Sequence, residues 1–251
     1  NANEVVAELK KVVEKLKEED QLDSRFTYEF TGQQEEQMKE MAFLVSALMI
    51  AVFLIILIIV AQFNSFSAPV VIMLTVLLSL IGVLLGLVIS RQSFVIMMTM
   101  IGVISLAGVV VNNAIVLIDF TNMLRSNRRK ELGLKEDEIL PYPEVVACAT
   151  EAGKTRLRPV LLTAITTILG LIPLAVGFNI DFFSFLSSYD PKIYIGGDNN
   201  IFFSPMSWAI IYGLTFATFL TLVVIPSLYL LMYRLKGWLY DLLGMKWTSE
   251  D

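Results

Sequence analysis

Hydrophobic positions gather into five long runs, at 41–63, 68–90, 93–118, 159 to about 180, and roughly 206–233. Each is near the ~20 apolar residues that a helix needs to cross a bilayer. Two shorter patterns precede them. Val5, Leu9, Val12 and Leu16, with Val6 and Val13, recur at helical spacing. In RFTYEFTG, Phe26, Tyr28 and Phe30 alternate as strand residues do. A single strand leaves its backbone ladder unpaired, so residues 1–40 are expected to be the end of a truncated α/β domain. An isolated surface helix followed by a loop is the plainer alternative. The expected fold class is all-α integral membrane, with five transmembrane helices preceded by that truncated segment.

Composition agrees. The chain is 56% hydrophobic and 17% charged, against about a quarter charged in soluble domains. A net charge of −5 offers no basic surface for nucleic acid. The single cysteine, Cys148, excludes an internal disulfide and reads as a small packing residue. With no histidine, histidine triads, zinc sites and imidazole proton shuttles are excluded. No nucleophile motif stands out either, so neither an enzyme nor a metal or cofactor site is expected. The start, NANEVVAELKK, carries no signal-peptide pattern and no initiator methionine, and reads as the middle of something longer.

Charge asymmetry orients the spans. Residues 121–158 hold Arg125, Arg128, Arg129, Lys130, Lys135, Lys154, Arg156 and Arg158, and the tail adds Arg234, Lys236 and Lys246. The opposite loops hold only Arg91 and Lys192. The 121–158 connection and the 237–251 tail are therefore expected in the cytoplasm, and the N-terminus, the 91–92 turn and the 181–204 loop outside. Within the connection, Pro143 and Glu144 suit a helix start, with Val145, Val146, Ala149 and Ala152 lying on the membrane surface. The outer loop carries Phe182, Phe183, Phe185, Tyr189, Tyr194, Phe202 and Phe203, with Trp208 just beyond it, as an interfacial aromatic belt would. Gly196-Gly197-Asp198-Asn199 reads as a tight turn; calcium held by Asp190 and Asp198 is the minor alternative.

The informative residues are polar ones inside the hydrophobic runs. At 100° per residue, Gly102, Ser105, Gly108, Asn112 and Asp119 fall in a sector about 120° wide on the third helix. Small residues allow close helix approach and polar ones bond across it, so this stripe is expected to meet protein. Asn113 lies just off it. On the fourth helix, Arg156, Thr163, Thr167 and Gly170 share a face, and Pro159 is expected in a first turn, where proline removes no helical hydrogen bond. Gly82 and Gly86 give the second helix a GxxxG spacing. Two readings stand at this point: amides and hydroxyls that glue helices, or a functional polar site, the default for costly intramembrane polar groups.

Four stretches, in order and with matching spacing, carry a resemblance: AQFNSFSAPVVIMLTV, GVVVNNAIVLIDFTNMLR, TRLRPVLLTAITTILGLIPLA and FATFLTLVVIPSLYLL. Over residues 41–236 the chain resembles the C-terminal part of resistance-nodulation-division (RND) efflux transporters of the AcrB-like, hydrophobe/amphiphile type. The resemblance implies helices eight to twelve of a twelve-helix plan, with 1–40 as the end of a periplasmic porter region. It implies proton-coupled export of drugs or amphiphiles from the bacterial inner membrane. The implied partners are an N-terminal half, the other protomers of a homotrimer, a periplasmic adaptor, an outer-membrane channel and membrane lipids. The chain is accordingly expected to be a fragment or half. The family's relay lysine aligns with Asn112, and its relay arginine and threonine with Arg156 and Thr163. Asn112 and Asn113 also fall where the internal repeat would put paired aspartates. Asn112, Asn113, Arg156, Thr163 and Asp119 are thus the expected ion path, with Gly82, Gly86, Gly102, Ser105, Gly108, Thr167 and Gly170 as packing positions. A non-transporting scaffold subunit, and a lipid- or protein-exporting relative, are the alternatives.

The loop charges give a direct expectation. Single cysteines at Ser126 and Ser188 should be labelled from opposite sides, Ser188 by an impermeant outside reagent and Ser126 only after permeabilisation. The reverse pattern would invert the topology.

Overall fold

The computed structural model describes residues 33–63, 65, 67–134, 138–180 and 193–243, together with Val5, Glu8, Leu9, Lys11, Val12, Val13, Lys15 and Leu16. The strand read at 26–30, the aromatics Phe182, Phe183, Phe185 and Tyr189, and Asp190 lie outside the described residues. The described residues between 5 and 16 are helical, and Val5, Leu9 and Val12 of the expected apolar stripe are exposed. The chain divides into two compact units, Asn1–Leu48 and Met49–Asp251, and the packed helices belong to the second.

Among the described residues five helices are long and apolar enough to cross a membrane. They are α1 (Gln33–Phe63), α2 (Ser67–Ser90), α3 (Ile96–Glu131), α4 (Tyr142–Val176) and α5 (Asp198–Leu243). Between α4 and α5, β1 (Phe178–Ile180) pairs antiparallel with β2 (Ile193–Ile195). The fold is an all-α membrane protein. Long runs of Val and Ile are helical here because hydrocarbon has no water to satisfy a backbone, and a helix satisfies its own.

The helix ends follow local chemistry. At the end of α3, Gly133 is left-handed, its N–H reaches the Lys130 carbonyl and the Leu134 N–H reaches the Arg129 carbonyl. That paired closure is favoured where glycine takes a left-handed conformation. Gly177 closes α4 in the same conformation, its N–H on the Pro173 carbonyl.

Several expectations are corrected. The 121–158 connection is mostly helix: α3 runs on to Glu131 and α4 begins at Tyr142. At 36 residues α3 is roughly 54 Å long, well beyond a ~30 Å hydrocarbon core. Residues 142–152 are not a separate surface helix but the first turns of α4, with Val145, Cys148, Ala149 and Ala152 buried. Pro159 consequently lies inside α4, not in its first turn. The fourth span stops at Val176, short of 180, because Phe178–Ile180 pairs as a strand. The tight turn comes down to Gly196 and Gly197, both with positive φ, since Asp198 already starts α5.

The core forms around α5, which packs on α2, α3 and α4. Contacts fix the directions. Gly82 and Gly86 of α2 abut Phe216 and Tyr212, so α2 and α5 are antiparallel. Gly102 of α3 abuts Met206 and Ala209, and Leu106 abuts Gly213, so α3 and α5 are parallel. Phe216 Cδ1 lies 2.7 Å, and Tyr212 Cδ2 2.6 Å, from where a Cβ on Gly82 or Gly86 would sit. Only a hydrogen fits. By contrast, a Cβ on Gly170 would meet no atom within 4 Å among the described residues.

Buried hydroxyls mostly stay within their own helix. Thr75 bonds the Ile72 carbonyl, Ser79 that of Val76, Thr121 that of Leu117, Thr218 that of Leu214 and Thr221 that of Ala217. The end next to β1 and β2 differs: Ser204 and Trp208 of α5 both donate to the Ala175 carbonyl of α4, at 2.7 and 3.1 Å. Pro173 and Gly177 break the regular ladder nearby.

Glycine contacts generate a test. Gly82→Ala and Gly86→Ala should each destabilise the bundle by about 1–3 kcal/mol through overpacking. Gly170→Ala should be neutral or slightly stabilising, since alanine is the better helix former. Thermal unfolding in detergent, followed by circular dichroism, separates the two classes; equal effects at all three positions would remove the packing role.

Candidate functional site

Antiparallel α3 and α4 form the candidate site. Two contacts set their register. Thr163 Oγ1 donates to Asn113 Oδ1 at 3.4 Å, and Arg156 Cζ lies over the Phe120 ring, 4.2 Å from its centre. These contacts are seven residues apart on each helix (113 to 120, 156 to 163), hence two turns along both.

Asn113 is buried at 5% exposure, whereas Asn112 is exposed. The amide placed off the polar stripe by helical projection is therefore the one that faces α4. The Thr163 hydroxyl also reaches the Val160 carbonyl at 3.0 Å, the shorter contact, so its bond to Asn113 is the weaker of the two. Thr167 bonds back to the Thr163 carbonyl at 2.8 Å.

Of the stripe itself, Gly102 is buried against α5, while Ser105, Gly108, Asn112 and Asp119 are exposed. Within this chain the expected protein contact is made only at Gly102 among the described residues. Thr163 and Gly170 of α4 are exposed too. The two helices thus present small and polar residues on open faces, at heights where the neighbouring side chains are Ile, Val and Leu. Arg156 is half-buried, and its Nε has no hydrogen-bond partner among the described residues.

A second polar cluster was not foreseen. Toward the C-terminal end of α3, Arg125 Nη1 donates to the Tyr229 hydroxyl at 2.6 Å, and that hydroxyl donates to Asn122 Oδ1 at 2.6 Å. The Arg125 guanidinium also lies 4.9 Å from the Tyr233 ring centre, and the Tyr233 hydroxyl donates to the Leu140 carbonyl at 2.7 Å. Leu140, Val145, Cys148 and Tyr233 are buried together beneath it. Arg128 pairs with Glu144 at 2.8 Å and Glu131 at 2.9 Å. The signal was present as Asn122 and Arg125 three apart on one helix and Tyr229 and Tyr233 four apart on another. Spacing alone could not show that α3 and α5 run side by side. Gly213, which lies against Leu106 and Val83, was missed for the same reason.

Five apolar helices of bilayer length, two of them sharing a polar seam, define a multi-pass membrane protein. Its sequence from 1 to 180 matches the AcrB/AcrD/AcrF family, and the chain belongs to that family of RND transporters. It is 34% identical over 190 residues to the swarming motility protein SwrC of Bacillus subtilis, covering 76% of this chain and 15% of SwrC. It is 34% identical over 116 residues to the multidrug export protein AcrF of Escherichia coli, covering 46% of this chain and 10% of AcrF. The crystal structure of a heavy metal efflux pump superposes with a TM-score of 0.59 at 27% identity, covering 84% of this chain and 18% of the pump. The chain therefore spans less than a fifth of the length of these relatives.

Burial separates the paired asparagines experimentally. A double-mutant cycle between Asn113→Ala and Thr163→Ala should show coupling of about 0.6 kcal/mol, typical of hydrogen bonds between membrane helices. The Asn112–Thr163 cycle should show none. Steric trapping or thermal unfolding in micelles reads both, and coupling confined to Asn112 would reverse the assignment.

Proposed function

We propose that this chain is the C-terminal membrane portion of a proton-coupled RND pump exporting drugs or amphiphiles from the bacterial inner membrane. Its N-terminus would be periplasmic and its C-terminus cytoplasmic. In this reading it works with an N-terminal half, as part of a homotrimer joined to a periplasmic adaptor and an outer-membrane channel.

One observation carries the proposal: the seam of α3 and α4 leaves Asn112, Asp119 and Thr163 open, with the Arg156 cation on the same seam two turns along α4 from Thr163. A polar face toward lipid is costly, so a protein surface that complements it is the stable arrangement. Arginine offers fixed donors in a plane that match a carboxylate. A carboxylate on the facing half, when ionised, would be held by Arg156; once protonated it would be released. Such exchange of a charged for a neutral contact is the kind of local change that biases a two-state packing. Asn112 contributes hydrogen bonding but no charge, so the cation at this seam is Arg156.

The test is transport by the assembled pump. Arg156→Ala should abolish proton-driven efflux, while Asn112→Ala should only weaken it. Asn112→Lys adds a cation that favours the ionised carboxylate, so the pH dependence of efflux should shift toward acid. Normal efflux and a normal pH profile from Arg156→Ala would leave the seam as packing, as the scaffold alternative requires.

A further inference from the structure

Resting on that reading, we propose that Phe120 is a positioning residue for the relay arginine, holding the Arg156 guanidinium in place by its ring face.

Arginine inside a membrane tends to extend along its aliphatic stem toward the nearer interface. Lys154, two residues nearer the start of α4, lies in that direction. Arg156 is held short of it, because its Cζ lies over the face of the Phe120 ring, 4.2 Å from the ring centre. All five guanidinium donors lie in the plane of the group, so a cation held over a ring face by attraction to the ring need spend none of them. The ring fixes the cation's plane and height while its edge remains open to an acceptor.

Among the described residues the surroundings supply no other anchor of this kind. Nε of Arg156 is buried and has no hydrogen-bond partner there. Helix α5, packed on both α3 and α4, carries no charged residue between Asp198 and Arg234. Asp119, next to Phe120 on α3, is exposed. The ring contact also shares its register with the contact between Asn113 and Thr163, so the ring holds Arg156 two turns from that pair.

The experiment uses the complete pump in vesicles with an imposed pH gradient and a fluorescent amphiphilic dye as the transported probe. Phe120→Leu should lower the maximal transport rate roughly tenfold, the scale of a partly desolvated cation–π contact. The dye concentration giving half-maximal rate should not change, since the lost contact is not with the dye. Phe120→Tyr and Phe120→Trp keep a ring face and should retain at least half the rate. In an Arg156→Lys background, which lacks the planar group, Phe120→Leu should cause little further loss. Phe120→Met, of similar volume but with no ring, serves where the leucine variant is poorly inserted, and should match it in rate. Wild-type transport by Phe120→Leu or Phe120→Met, or a tyrosine variant as slow as leucine, overturns the proposal while leaving Arg156 in its role. Normal transport by Arg156→Ala overturns the underlying reading as well.

Discussion

Helices in hydrocarbon gain nothing from hiding apolar surface from one another, since lipid tails are as apolar as leucine. Association then depends on close approach, and in this chain close approach is concentrated on α5. Gly82 and Gly86 of α2 receive Phe216 and Tyr212; Gly102 of α3 receives Met206 and Ala209; Gly213 of α5 itself receives Leu106 and Val83. Glycine is used where two helices meet, and the side chain filling the notch comes from the opposite helix. Those notches fix where α2 and α3 sit on α5, and so the face of α3 that is left to bring Asn113 to Thr163 of α4.

Charge near the seam is held against aromatic rings. Arg125 lies against Tyr229 and Tyr233, Arg156 against Phe120, and Arg234 against Tyr142. The described ion pairs of Arg128, with Glu131 and Glu144, sit at an exposed end of α3. This division has a physical basis. A buried ion pair must recover the desolvation of two charges, whereas a ring desolvates one face of a guanidinium and leaves its in-plane donors free. In the proposed cycle, where Arg156 would exchange partners, a ring holds it better than a permanent carboxylate would. The same logic separates the hydroxyls from the amides. Serine and threonine can satisfy themselves on a carbonyl one turn back, as Thr75 and Ser79 do. Asparagine has a larger polar group that needs a partner outside its own helix, and Asn113 finds it in Thr163.

Much of this protein is legible in its sequence. Five apolar runs of bilayer length become five membrane helices, because only hydrogen-bonded helices or closed barrels can cross hydrocarbon. Four ordered stretches point to the family by themselves. Pro143 marks the start of α4 through a backbone preference that acts locally. Its end is less legible, since the apolar run continues past Gly177 into a strand. The first turns of α4 read equally well as a surface helix, because Val145, Ala149 and Ala152 suit a membrane surface as much as a protein interior. Pro159 reads as a first-turn residue only if the helix begins beside it, and tertiary packing against α5 decides where the helix begins.

The candidate site divides in the same way. Residue types and spacing identify Asn112, Asn113, Arg156 and Thr163, since polarity within a hydrophobic run is conspicuous in one dimension. Helical projection, however, favours Asn112 as the residue facing protein, and the chain buries Asn113 instead. An error of about 100° in facing is one residue, and only the partner helix determines which side is inside. Phe120 and Tyr229 are invisible in sequence for a related reason: an aromatic residue in an apolar helix carries no mark of its role until a guanidinium from another helix is laid against it. Sequence determined what crosses the membrane and which polar groups it carries; the packing of α3 against α4 and α5 decided which of them meet.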